Sequence, residues 1–131
     1  MEHMRISDHS PKGQQISCSQ VIRKGQWVYI GGTHAMQRNG EIVGKDDPYR
    51  QTIQVLSNIE YALKKVGATL TDVVRTRIYV TNLSEWPEIS QAYNDFFDEA
   101  QPVTTIVEVN KLILPGLLVE IEAEAVINER Y

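Results

Sequence analysis

At 131 residues the chain is about one domain long and can bury a core of its own. Its hydrophobic content of 42%, charged content of 23%, net charge of −4 and pI near 5.3 fit a globular domain, and argue against a partner held through a phosphate backbone. The single cysteine, Cys18, excludes an intrachain disulfide framework and, with no secretory leader pattern, implies a reducing, cytoplasmic setting, while no apolar run approaches the roughly 20 residues that span a bilayer.

Residues 1–14 (MEHMRISDHSPKGQ) are polar and unpatterned and read as a flexible lead, with residues 15–131 as one domain. His3 and His9 have no further ligands nearby, and no metal site is expected. Gln15 to Arg23 and Trp27 to Ala35 are β-rich runs joined by a turn at Gly25, which reads as a hairpin. Gly31 and Gly32 inside the second run weaken the strand and mark the close approach of another backbone or a ligand. A turn at Asn39-Gly40 then precedes a short strand expected from Glu41 to Val43.

Asp47 followed by Pro48 starts a helix, with an N-cap oxygen and then a proline whose missing N–H costs nothing there. Ile53, Leu56, Ile59, Leu63 and Val66 continue it at three- and four-residue spacing, and Gly67 ends it. Asp72 to Val80 alternates as a strand, with Val74, Thr76, Ile78 and Val80 on one face and Val73, Arg75, Arg77 and Tyr79 on the other. Ser84 is placed as the cap of a second helix whose buried stripe is Ile89, Ala92, Tyr93, Phe96 and Ala100. Strands Thr105 to Val109 and Leu117 to Ile127 complete an α+β domain, a single mixed sheet with two helices on one face. Trp27 and Trp86 read as packing residues.

Helices on one face leave the other uncovered, and it would carry Arg75, Arg77 and Tyr79 beside Leu118, Glu120, Glu122, Glu124 and Val126. That mixture is too apolar for a simple solvent face and too charged for a core, which suits self-association with Arg–Glu pairing across strands or subunits.

The segments CSQVIRKGQWVYIGG, QTIQVLSNIEYALKKVGATLTDVVRTRIYVTNLSEW and PVTTIVEVNKLILPGLLVEIEAEAV resemble successive parts of the Rid superfamily, the YjgF-like enamine/imine deaminases also called endoribonuclease L-PSP proteins. The resemblance runs from about residue 15 to residue 127. It implies a chorismate-mutase-like fold with about six strands, and a homotrimer with a central barrel and three ligand clefts between subunits. It also implies a cofactor-free hydrolysis of 2-imino acids, in which an arginine grips the substrate carboxylate and a glutamate supports a water. Glu120 matches that glutamate and Gly32 the glycine along the pocket. Thr104 stands at the arginine's place, which resembles the arginine-less subgroups; Cys18 replaces a tyrosine, Ser90 an asparagine and Ile106 a small or thiol residue.

The candidate catalytic residue is therefore Glu120, as a base whose carboxyl would be raised in a semi-buried cleft, against a structural pairing with Arg75 or Arg77. Glu122 and Glu124 read as structural. Cys18, Gly32, Ser90, Thr104, Thr105 and Ile106 are the candidate ligand-binding residues, and the threonine hydroxyls suit a polar or neutral small molecule. Arg75 and Arg77 are weighed as a substitute anion site, and His34 as an acid–base group near the cleft against a surface loop histidine. Three functions stay open: a hydrolase of C=N or enamine substrates, a non-catalytic small-molecule-binding trimer, and a ribonuclease. The last has no patterned His–His or His–Lys pair and no basic stripe. No nucleic-acid or membrane partner is expected.

Overall fold

The computed structural model describes residues 3–128. The elements in chain order are β1 (His3–Ser7), α1 (Pro11–Gln15), β2 (Ser19–Lys24), β3 (Trp27–Thr33), α2 (Pro48–Lys65), β4 (Val73–Val80), α3 (Trp86–Phe97), β5 (Val103–Glu108) and β6 (Val119–Val126). They build one six-stranded sheet ordered β1-β2-β3-β6-β4-β5. Neighbours run antiparallel except β4 and β5, a parallel pair joined through α3. This is the expected α+β architecture.

α2 forms where the caps and the apolar spacing coincide. Asp47 Oδ1 accepts from the Arg50 N–H at 3.0 Å. At the other end Gly67, at φ +84°, lets Gly67 N–H reach Lys64 O and Ala68 N–H reach Leu63 O at 2.9 Å, closing the orphan carbonyls. Leu56, Ile59 and Leu63 of α2 meet Ile89 and Phe97 of α3 and the inward residues Val28, Ile30, Ile78, Val80, Val119 and Ile121 of the sheet. α3 starts one residue later than a Ser84 cap would place it, with Glu85 at the N-cap. Asn82 Oδ1 caps a single 3₁₀ turn over Leu83–Glu85, and Trp86 then opens the helix and packs against the core.

Four local expectations are corrected. The lead 1–14 is structured over its described part: β1 pairs with β2 at the sheet edge, with Met4 and Ile6 turned onto the core, and α1 follows. Five residues carry too short an alternation to stand out from polar neighbours. Glu41 to Val43 forms a single bridge, Met36 to Ile42, because the loop is closed instead by the Gln37 and Gly40 turn bonds and by Val43 N–H to Ala35 O. Val73, not Val74, enters the core. A register shift between Val73 and Arg75 sets two β4 residues against one step of β6, so Val74 is turned out at 45% exposure. Trp27 lies 55% exposed on the open face rather than in packing.

The open face holds its charges in pairs within the sheet. Arg75 Nε lies 3.6 Å from Glu124, and Arg77 Nη1 lies 3.3 Å from Glu122 and 3.5 Å from Glu124. Tyr79 O–H also donates to Glu122 at 3.2 Å.

On the helix side, fully buried Gln51 ties α2 to the chain entering β6. Its Nε2 donates to Gly116 O and its Oε1 accepts from Leu118 N–H, both at 2.8 Å. Gln51→Leu fills similar space but strands both backbone groups, each costing about 1–3 kcal/mol when unsatisfied and buried. Urea unfolding should show a loss of about 2–4 kcal/mol, and a loss below about 0.5 kcal/mol would mean the loop finds other partners.

Candidate active site at the β3 bulge

β3 pairs with β6 in regular register from Trp27 to Ile30 and then shifts, so that Thr33 rather than Gly32 faces Ile121. Gly31 and Gly32 occupy this bulge. Glu120, at the start of β6, lays its carboxylate directly on the bare Cα of Gly32, where a Cβ would collide with Glu120 Oε2. The shift also turns the chain leaving β3 inward. His34 is 5% exposed, and its Nε2 stands 2.6 Å from Glu120 Oε1. An ionised carboxylate only accepts, so Nε2 carries the proton and donates it. α2 holds this turn from behind, because Asn58 Nδ2 donates to His34 O at 3.0 Å and Met36 O at 2.9 Å.

The N-terminal segment closes the other side. Lys12 Nζ donates to Gly32 O at 3.0 Å and pairs with Asp8 Oδ2 at 3.6 Å. Asp8 Oδ1 in turn accepts from Ser10 N–H at 2.8 Å. Cys18 Sγ lies 3.7 Å from Asp8 Oδ2, next to this wall. Gly32, Thr33 and His34 form one wall of a cavity of about 470 Å³, whose far side is α2 at Asn58, Tyr61 and Lys65.

The hydrogen bond from His34 holds the Glu120 carboxyl below the ordinary carboxylate value, against the opposing effect of burial and with help from the His34 and Lys12 charges. This corrects the expected raised carboxyl. Glu120 is a stably ionised group, and its acid–base partner is at hand.

The sequence-predicted residues divide between two places. Glu120, Gly32 and Cys18 gather at the bulge. Ser90, Thr104, Thr105 and Ile106 lie on α3 and β5, with β6 and β4 between β3 and β5. Thr104 Oγ1 is 2.9 Å from both Thr76 Oγ1 and Tyr93 O–H, which are 2.7 Å from each other, a closed group of hydroxyls beneath α3. Thr105 pairs with Arg77 and so faces the open side, opposite to Thr104; Ile106 pairs with Ile78 on the Thr104 side. Ser90 Oγ donates to Pro87 O. Arg75 and Arg77 are occupied by Glu122 and Glu124 and lie outside the cavity lining. Lys12 and Asp8 carry no signal in the sequence, and of the two readings weighed for His34 the surface loop histidine is overturned, since the residue is buried against Glu120. The glycine pair just before His34 announces a close approach but neither the bulge nor its direction. Among the described residues no group of three or more His, Cys, Asp or Glu side chains converges as a metal site.

A family model described as endoribonuclease L-PSP matches residues 13–127. A RutC family protein of Pyrococcus abyssi is 35% identical over 82% of this chain and 84% of its own length. The 3-aminoacrylate deaminase RutC of Acinetobacter baylyi is 33% identical over 75% of this chain and 77% of its own. Among solved structures, a YjgF family member from Mycobacterium tuberculosis superposes with a TM-score of 0.85 at 42% identity, covering 96% of this chain and all of that one.

The Glu120 geometry predicts an acid signature. A carboxyl lowered on folding contributes stability that is fully present above its unfolded value, near about 4.3, and is lost as the pH falls through the folded value. Urea midpoints of the wild type should therefore drop more steeply across that acid window than those of Glu120→Gln. Parallel acid limbs would show that His34 does not hold the carboxylate.

Proposed function

The chain belongs to the endoribonuclease L-PSP family of the Rid/YjgF superfamily, and from that premise we propose that it hydrolyses a small enamine or imine to a carbonyl compound and ammonia. The observation that carries this reading is the 2.6 Å contact of Glu120 with buried His34 at the wall of a cavity. An enamine that takes a proton from solvent at its β-carbon, or an imine that takes one at nitrogen, becomes an iminium ion. Water adds to the iminium carbon as ionised Glu120 takes the water's proton, giving a neutral carbinolamine, while the His34 N–H fixes the carboxylate and stabilises its charge. Glu120 returns that proton to the nitrogen, which leaves as ammonia while the carbinolamine hydroxyl gives its proton back to solvent and becomes the carbonyl. Hydrolysis of C=N consists of proton transfers and water addition, so the proposal needs no cofactor.

We further infer a homotrimer. β5 is an edge strand exposed along its whole length, and the open face presents Trp27 and Tyr29 beside the ion pairs. Clefts between subunits would bring Ser90, Thr104, Thr105 and Ile106 of one subunit toward Glu120 of the next, which a single chain leaves apart. In such a cleft Thr104 offers a hydroxyl where the family resemblance expects a carboxylate-binding arginine, and this supports a substrate different from the usual 2-imino acids. A second reading, a binding trimer without chemistry, is favoured by the lowered Glu120 carboxyl, which makes a weaker base.

Imines generated in situ and scavenged by semicarbazide separate the two. Wild type should reduce the trapped product, and Glu120→Gln should lose about a hundredfold of that rate. Equal activity of the variant would remove Glu120 from the chemistry, and inactivity of the wild type across an enamine panel would leave the binding reading. Sedimentation at micromolar concentration should give three times the 14.9 kDa chain mass; a single-chain mass would overturn the trimer.

A further inference from the structure

The cavity is several times larger than a three-carbon acid needs, at about 470 Å³, and its two ends differ in chemistry. One end is lined by His34, and Glu120 stands behind it, outside the lining itself, with its Oε1 2.6 Å from His34 Nε2. The other is the rim formed by Arg38, in the Asn39-Gly40 turn, and by Tyr61 and Lys65 on α2. Asn58, Tyr61 and Lys65 follow one another at three- and four-residue steps, so a single stripe of α2 faces the cavity.

On that rim two cations share one ring. The Arg38 guanidinium carbon lies 4.8 Å and Lys65 Nζ 4.6 Å from the Tyr61 ring centre, and Arg38 also donates to the Tyr61 hydroxyl. The π-face attracts each of them, but two like charges so close still repel. Neither has a carboxylate partner among the described residues. The other cation near the cavity, Lys12, is already committed to Asp8 and Gly32 O. Arg38 and Lys65 are therefore the uncompensated positive charge of this pocket, and the planar guanidinium suits an oxyanion.

We propose that the ligand of this cavity carries an anionic group, carboxylate or phosphate, at the end remote from its reacting carbon, and that Arg38 and Lys65 receive it over Tyr61. This rests on the reading of Glu120–His34 as the reacting end, and it names the substrate class: an enamine or imine with a distal anion. It also accounts for a pocket that binds an acid with threonine at position 104, since the charge is met at the rim instead of on β5.

The test compares 2-oxoglutarate with its 5-methyl ester, which differ in a distal carboxylate against a neutral distal ester, by calorimetry on the intact protein. Wild type should bind 2-oxoglutarate about tenfold tighter or more. The preference should fall to about twofold or less in an Arg38→Gln, Lys65→Gln double variant. It should persist in a Lys24→Gln, Lys111→Gln control, which removes the same charge at exposed positions away from the cavity. Tyr61 is exposed, so the double variant should melt as the wild type does. Equal binding of the two compounds by wild type, no binding of either at millimolar concentration, or a preference that survives the double variant overturns the proposal. Phosphate competing with 2-oxoglutarate only in proteins that retain Arg38 and Lys65 would support a site for either oxyanion. Turnover enters none of these measurements, so an inactive enzyme with intact selectivity would fail the hydrolase reading alone.

Discussion

Glu120 Oε2 occupies the space that a Cβ on residue 32 would fill, and the geometry of the candidate site depends on position 32 having no side chain. A side chain at position 32 would force the carboxylate to shift from its place on the β3 backbone and would disturb the 2.6 Å contact with His34. The same glycine pair lets β3 slip register against β6, and the slip directs His34 into the protein instead of to the surface. A carboxylate and an imidazole far apart in the chain thus meet through a backbone irregularity. Lys12 then adds a cation whose field favours the ionised carboxylate.

Around that contact the protein is held by ordinary means. α2 is capped at both ends and buries one stripe on the sheet, and two of its polar residues brace the site from behind. Gln51 fixes the chain entering β6, and Asn58 fixes the turn carrying His34. These are buried or partly buried polar groups with their hydrogen bonds made, the condition under which such groups lend specificity without a large penalty. The open sheet face is different. Its ion pairs are partly exposed and screened by water, so they add little to stability. Their effect is to keep a broad, partly apolar face compatible with water, with β5 at the sheet's outer edge.

The row of glutamates on β6 shows how far a strand pattern can be read. Alternation alone predicts that Glu120, Glu122 and Glu124 share a face and that Val119, Ile121, Ala123 and Ala125 are buried, and the structure agrees. It cannot show that the three carboxylates have different work. Glu122 and Glu124 meet Arg75 and Arg77 directly across β4, whereas Glu120, opposite Tyr79, turns to His34 on its other neighbour. On β4 the alternation fails at a single place, Val74, because a bulge adds one residue and inverts the faces there. The first strand and α1 escaped notice for a related reason, since five-residue elements at a sheet edge are held by neighbours rather than by their own pattern.

From sequence alone come the fold class, the long helix with its caps, the faces of the last strand and the family, because these rest on periodic apolar spacing and on motifs spread along most of the chain. Only the tertiary structure decided which side chains share a site. His34, Lys12 and Glu120 are brought together by a register shift and by the folding back of an edge segment, and Arg38 and Lys65 by a loop laid against one face of α2. Such juxtapositions depend on where the backbone departs from regular geometry, and a departure of one residue leaves almost no trace in local composition while reversing the direction of every side chain beyond it.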